Sequence, residues 1–338
     1  MMPTSRELLG EIKKFVPPLL EKFHKGQAGR IAVIGGSEDY TGAPYFAALA
    51  ATLLGADMAH VICERNAARV IKTYSPNMMV HPYMRDSSSI VPASTAKAVS
   101  IDSLLNDEVL PPIYSMLSRL HVIVVGPGLG RDKIMLEIAT KVIERAKELG
   151  LHIVIDADGL FLVQQKPDVI RAYPKAVLTP NIVEFQRLCK AVGVEIPEGF
   201  PEDAATAKKT CHELAKAFGG PVVLAKGRVD YISDGKSEFI CDMPGGKKRV
   251  GGQGDTLSGT LSTFLAWKHA YQSRIWDHDV SLDESSLMML SAYGAAAITR
   301  YCSRAAFGKY GRAMLASNLS EMIGDAYNAL LEDDKFKI

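Results

Sequence analysis

Gly251-Gly252-Gln253-Gly254-Asp255-Thr256-Leu257-Ser258-Gly259 is the stretch on which the reading of this chain turns. Three glycines stand within the four residues before Asp255, and a helical pattern follows to about residue 269. Glycines just ahead of a helix let backbone approach a ligand closely and aim several N–H groups at one point. The helix N-terminus adds partial positive charge there. That is an anion hole suited to a phosphoryl group in transit, with Gly252 and Gly254 supplying it. Asp255 sits among those donors, where it can take a proton from a substrate hydroxyl. Asp is also a favoured helix cap, and after a single glycine the cap would be the leading reading. The flanking glycines turn the balance toward catalysis. The spacing of a P-loop, GxxxxGK[ST], is absent.

Outward from this segment, the chain alternates short apolar runs with helices. Residues 5–24 read as a helix interrupted at Pro17-Pro18, and 43–55 as an alanine-rich helix. Strands are expected at 30–34, 58–63, 78–83, 121–125, 153–155, 177–178 and 222–225. Val229–Ser233 and Glu238–Cys241 read as a hairpin about Asp234-Gly235, and helices are expected over 131–149, 202–218, 254–269, 283–303 and 317–331. Continuous apolar strands separated by helices predict a mainly parallel sheet covered on both faces, with an antiparallel edge. The Ser-rich stretch 84–102 is the one loop-like segment and is too short to divide domains. A single domain over 1–338 is expected, with 1–25 as an N-terminal helical extension.

In such a sheet, ligands bind beyond the carboxyl ends of the strands. Gly35-Gly36, Gly126–Gly130, Asp156–Gly159, Thr179–Asn181, Lys226-Gly227 and Gly251–Asp255 all fall at such ends. Gly126-Pro127-Gly128-Leu129-Gly130 is not a dinucleotide fingerprint. Its third glycine is misplaced, Pro127 stiffens the turn, and no acidic residue follows at the required distance.

Bulk properties narrow the function further. The 338 residues carry 39 basic and 38 acidic side chains, a net charge of +1. Neither nucleic acid nor an acidic membrane surface is implied. No apolar run approaches the roughly 20 residues that span a bilayer, and no secretory signal is visible, so the cytoplasm is the default expectation. Five dispersed cysteines without a CxxC pair imply free thiols. The eight histidines show no metal-ligand spacing.

Several blocks together resemble the ADP/ATP-dependent NAD(P)H-hydrate dehydratases of the ribokinase-like superfamily. They are GRIAVIGGSEDYTGAPYFAALAATLLGAD (29–57), SPNMMVHP (75–82), VVGPGLGR (124–131), DADGL (156–160), LTPNIVEFQRL (178–188), KG (226–227) and GGQGDTLSG (251–259). The resemblance implies a ribokinase-like three-layer α/β/α sandwich. It also implies repair of hydrated NADH and NADPH: ATP phosphorylates the 6-hydroxyl of the S epimer, and phosphate then leaves. By position, Asp255 matches the family base and contacts the hydrate. Gly128 and the run Asn181, Ile182, Val183, Glu184, Phe185, Gln186 and Arg187 match its hydrate-binding segments. Lys226, Gly227, Arg228, Val229 and Asp230 match one nucleotide-binding segment. Gly245, Gly246, Lys247, Lys248, Arg249, Val250, Gly251, Gly252, Gln253 and Gly254 match the other. From the residues themselves, Asn181 also reads as a helix cap and Glu184 as a first-turn dipole partner, while both suit contacts to a hydroxyl, an amide or Mg²⁺-bound water. The Lys247-Lys248-Arg249 trio is similar to the eukaryotic, ATP-using form, while as a charge run alone it reads as a solvated loop. Mg²⁺, a separate NAD(P)H-hydrate epimerase and symmetric self-association complete the expectations. The rivals are a kinase for a sugar or vitamin precursor and a nucleotide-binding regulator without catalysis.

Overall fold

Residues 3–89, 100–279 and 281–332 are described by the computed structural model. Its strands form one sheet: β1 (Arg30–Ile34), β2 (Met58–Glu64), β3 (Met79–Met84), β4 (Val122–Val125), β5 (His152–Ile155), β6 (Ala176–Leu178), β7 (Val222–Ala225), β8 (Asp230–Ser233) and β9 (Glu238–Cys241). Their spatial order is β3-β2-β1-β4-β5-β6-β7-β8-β9. Every pairing from β3 across to β7 is parallel, and the β8–β9 hairpin closes the edge antiparallel. The expected parallel sheet with an antiparallel edge is therefore present.

Alternation along the strands divides two cores. Ile31, Val33, Val122 and Val124 face one, while Ala32, Ile34, Ile123 and Val125 face the other. The first is covered by α1 (Ser5–Lys13), α2 (Gly42–Leu54) and α3 (Arg65–Ile71). From the C-terminal third, α10 (Gln253–Gln272), α11 (Glu284–Tyr310), α12 (Ala316–Glu321) and α13 (Ile323–Tyr327) join them. On the second face, α4 (Ile101–Ser103) passes through the π-helical stretch Leu104–Val109 into α5 (Leu110–Leu117). After it come α6 (Lys133–Glu148), α7 (Asp158–Gln165), α8 (Ile182–Val192) and α9 (Ala204–Phe218). The result is a three-layer α/β/α sandwich.

Helix α10 carries the glycine-rich segment into the interior and is buried almost all round. An amphipathic stripe is absent because the sheet, α2 and α11 surround it. Its buried hydroxyls remain satisfied. Thr260 Oγ1 donates to Thr256 O at 2.8 Å and Ser262 Oγ to Gly259 O at 2.6 Å, while Thr263 Oγ1 crosses to Ala51 O of α2 at 2.9 Å. Gly259 permits that contact, since a Cβ there would stand 2.1 Å from Ala47 O.

Three expectations need correction. The first helix stops at Lys13 instead of reaching residue 24, because a residue before proline disfavours the helical region and Pro17-Pro18 lies just beyond. Helices α3 and α7 were not expected. Helix α3 begins at the residue after β2, and α7 follows β5 after Asp156 and Ala157 alone, so no long loop announces either. The last helix is broken at Met322 into α12 and α13, followed by a π-helical stretch Asn328–Glu332. Of the loop expected over 84–102, residues 90–99 lie outside the described residues, Ser87–Ser89 form a 3-10 turn and Ile101 opens α4. All five cysteines are buried free thiols, as expected, and burial pushes that of Cys63 up to about 12. Among the described residues, no helix is long and apolar enough to cross a membrane.

Candidate active site

Because β1 to β7 run parallel, their carboxyl ends share one edge of the sheet, and the strand-end clusters meet there. Between β1 and β4, where the strand order reverses, two glycine loops interlock. Gly36 N–H donates to Gly128 O at 3.0 Å, and Ser37 Oγ donates to the same oxygen at 3.0 Å. Gly128 has φ +62°, and a Cβ on it would lie 2.5 Å from Tyr40 O. Only glycine fits, so the residue assigned to substrate by resemblance also has a packing role.

Three strand ends along, the charged centre forms. Asp156 closes β5, Thr179 closes β6 and Lys226 closes β7. Lys226 Nζ lies 2.9 Å from Asp156 Oδ1, and Thr179 Oγ1 donates to the same oxygen at 2.8 Å. The α10 N-terminus meets this pair through Gly254. A Cβ built there would stand 3.4 Å from Lys226 Nζ and 3.5 Å from Asp156 Oδ2.

Gly252, at φ +90°, occupies the N-cap position, so Asp255 is not the cap. It lies in the first turn, buried at 8% exposure, and no protein hydrogen bond to its carboxylate is found among the described residues. Burial, chiefly, and then the like charge of Asp156 push Asp255 up to about 8 against the pull of Lys226. For Lys226, burial works toward release of its proton. Asp156, Glu184 and Asp255 outweigh that and hold it above the ordinary lysine range. The first-turn amides of a helix have no partners four residues back; that of Gln253 donates to Val250 O at 3.4 Å, which leaves those of Gly254 and Asp255 for an anion beside a firm cation and a proton-hungry carboxylate.

Asn181 and Glu184 form a capping box on α8. Asn181 Oδ1 accepts from the amides of Val183 and Glu184 at 3.0 Å each, and Glu184 Oε2 takes the Asn181 amide at 2.8 Å. Burial raises the Glu184 carboxyl, Lys226 and the Asn181 amide oppose this, and Asp156 and Asp158 add to it. Arg187 and Glu184 line a cleft with Arg131 and Phe161. Arg131 stacks over the Phe161 ring at 4.3 Å and pairs with Asp158 at 3.3 Å. Ile182, Val183 and Gln186 are exposed on α8. Phe185 is not at the cleft: its ring is buried in the core, stacked on Phe200 at 5.2 Å, because it lies on the inward face of the helix.

The two segments assigned to nucleotide are held by residues the sequence did not single out. Arg300 of α11 pairs with Asp230 at 2.6 Å and donates to the carbonyls of Gly227, Arg228 and Met243. Asp230 in turn accepts the Gly227 amide at 2.9 Å. Asp230 is thus a brace for the Lys226–Asp230 loop, while Arg228 is exposed and Val229 partly so. Gly246 N–H donates to Ser303 Oγ at 3.2 Å, and Arg249 donates to Gly246 O at 2.9 Å. Lys248 is committed to the carbonyls of Arg312 and Met314 at 2.5 and 2.7 Å. Lys247 is exposed, Gly245 and Val250 are half-buried, and Gly251 and Gln253 flank the Gly252 cap. An arginine inside the alanine-rich run of α11 was the available signal for Arg300.

A family model described as NAD(P)H-hydrate dehydratase matches residues 31–325. A protein of Neurospora crassa named ATP-dependent (S)-NAD(P)H-hydrate dehydratase is 51% identical over 332 residues, covering 97% of this chain and 94% of that one. Among solved structures, a ribokinase-like superfamily protein from Enterococcus faecalis superposes with a TM-score of 0.68 at 20% identity, covering 98% of this chain and 97% of that one. The ADP/ATP-dependent NAD(P)H-hydrate dehydratase of Bacillus subtilis, co-crystallised with ATP/Mg²⁺, superposes at 0.61 with 20% identity, covering 95% and 97%. At those identities the two structures establish the ribokinase-like fold alone. The family model and the fungal relative go further, and this chain belongs to the NAD(P)H-hydrate dehydratase family.

Proposed function

We infer that this chain dehydrates the S epimer of hydrated NADH and NADPH with ATP as co-substrate, restoring the reduced cofactors. The observation that carries the reading is the buried carboxylate of Asp255 in the first turn of α10, without a hydrogen-bond donor among the described residues and beside the Lys226–Asp156 pair. A carboxylate in that setting accepts a proton; an inactive nucleotide sensor has no use for one.

In the proposed sequence, the 6-hydroxyl of the hydrate attacks the γ-phosphorus of ATP as its proton passes to Asp255. The new O–P bond forms while the bond to the β-phosphate oxygen breaks, and ADP departs. The amides at the α10 N-terminus and the Lys226 ammonium face the charge that spreads over the transferring oxygens. The ring nitrogen's lone pair then forms C6=N1 and expels phosphate. Loss of a C5 proton returns the electrons to form C5=C6. Phosphate leaves far more readily than hydroxide, so the second stage asks little of the protein. A kinase that stops at the phosphoester shares the first stage only.

Mg²⁺ fits the residues present when it arrives on the nucleotide. Among the described residues, no group of three or more His, Cys, Asp or Glu is placed to hold a metal unaided. Mg²⁺ characteristically keeps several waters and binds through phosphates plus one or two carboxylates. Glu184, with one oxygen spent on the Asn181 amide, would meet it through water. The cation would neutralise phosphate charge. The Bacillus subtilis enzyme's crystallisation with ATP/Mg²⁺ supports this assignment.

For the segments matched by resemblance, we propose that Gly128, Asn181, Glu184 and Arg187 contact the hydrate, and that Lys226–Asp230 and Gly245–Gly254 contact ATP. We also propose a single domain over 1–338 with a helical extension at 1–25, cytoplasmic residence, self-association, and an epimerase acting separately to supply the S form. The test is regeneration of dihydronicotinamide absorbance from hydrated NADH with ATP. A protein that consumes ATP on a sugar or vitamin alcohol and never restores that absorbance would overturn the reading.

A further inference from the structure

Asp156 belongs to none of the segments matched to substrate or nucleotide, yet its surroundings are built with care. The residue is 2% exposed, and its side-chain bonds go to Lys226 and Thr179. Its backbone is locked from both sides. A Cβ on Gly126 would lie 1.8 Å from Asp156 O, so only glycine fits beside it. Ala157, next in the chain, has φ +48°, a strained conformation for a residue with a side chain. Such strain is tolerated where the surroundings over-determine it, often at functional sites. The turn sends Asp158 toward the Gly130 amide and Arg131, while Asp156 stays with Lys226.

We infer that Asp156 is a positioning residue for the reaction, fixing the Lys226 ammonium beside Gly254 and setting its own carboxylate at the tip of the helix that carries Asp255. The inference rests on the phosphoryl-transfer reading. A buried ion pair by itself contributes little net stability over apolar residues of the same size, so stability does not explain why it is there. Asp156 just beyond β5 and Lys226 just beyond β7 are the charged groups that bear on Asp255, with Glu184 on α8 acting on Lys226. One ammonium thus serves two buried carboxylates, and the excess negative charge is felt at Asp255. Burial leads and Asp156 follows in pushing that carboxyl up to about 8. A base with proton affinity near the working pH takes a hydroxyl proton better than an ordinary carboxylate does.

The test uses the full chain carrying Asp156→Asn and, separately, Asp156→Glu. Asp255 protonation is followed by carboxyl-carbon NMR, ATP affinity by calorimetry in the presence of Mg²⁺, and kcat/KM against pH. In Asp156→Asn, the Asp255 midpoint and the acid limb of kcat/KM are expected to fall together by about one pH unit or more, the scale of a neighbouring carboxylate's effect. ATP affinity should weaken several-fold as Lys226 loses its anchor. Asp156→Glu restores the charge and should return the limb toward its original place. If Asp156→Asn does not fold, Asp156→Ser removes the same charge and carries the same expectation. A folded variant lacking the charge, with both midpoints and ATP affinity unchanged, overturns the inference. NMR and calorimetry need no hydrate. Failure of the wild-type chain to regenerate dihydronicotinamide would therefore count against the proposed function and leave this test standing.

Discussion

Asp255 shows how a residue's environment, more than its identity, decides what it does. Its carboxyl is buried, pushed up to about 8, and among the described residues has no donor to stabilise the anion. Two expectations follow for Asp255→Asn. Turnover should fall by about 10²–10⁴-fold, the range for loss of a general base, with ATP binding by calorimetry largely kept. Stability should move the other way. The folded value, about 8, lies above the ordinary 3.8. Between those values the folded state holds a proton that the unfolded chain releases, so this group's contribution worsens as pH rises through that window. Thermal melts should show Asp255→Asn gaining on wild type from mild acid to pH 8. A gain that shrinks over that range would contradict the assigned proton affinity.

At the scale of elements, α10 works as a buried rod whose tip is tuned by glycine. Gly254 has no positive φ, and a Cβ there makes only ordinary contacts with Lys226 and Asp156. Gly254→Ala should therefore fold and melt like wild type while losing at least an order of magnitude in kcat/KM, because the methyl fills the space before the charged pair. Gly259→Ala should do the reverse, since its Cβ would collide with Ala47 O and force α2 and α10 apart. Overpacking of this kind costs about 1–3 kcal/mol, measurable by denaturant unfolding, with the active-site residues untouched. The tip of α10 was legible in the sequence because glycines and an aspartate at a helix start are local signals. Its body was harder: Ser and Thr at buried positions break any apolar periodicity, and only the folded helix shows their hydroxyls returned to carbonyls. The sequence marked Asp156 as part of a strand-end cluster and set Arg300 apart in an alanine-rich helix, but their pairings lay beyond reach for a different reason. Each meets its partner, Lys226 or Asp230, across 70 residues of chain, and no local pattern records such a meeting.

Across the whole molecule, the parallel sheet turns scattered strand ends into one site. Apolar runs punctuated by glycine made the sheet readable, as did the hairpin at Asp234-Gly235. The strand order and the convergence of β5, β6 and β7 ends on α10 required the structure. The central claim is that this site drives a kinase step into an elimination. It is tested most directly by incubating the purified chain with the S epimer of hydrated NADH and Mg²⁺, with ATP and with ADP in separate reactions, and following dihydronicotinamide absorbance. Absorbance is expected to return with ATP, in step with release of ADP and phosphate, and to stay flat with Asp255→Asn. ATP consumption with accumulation of a stable phosphoester and no return of absorbance would contradict it.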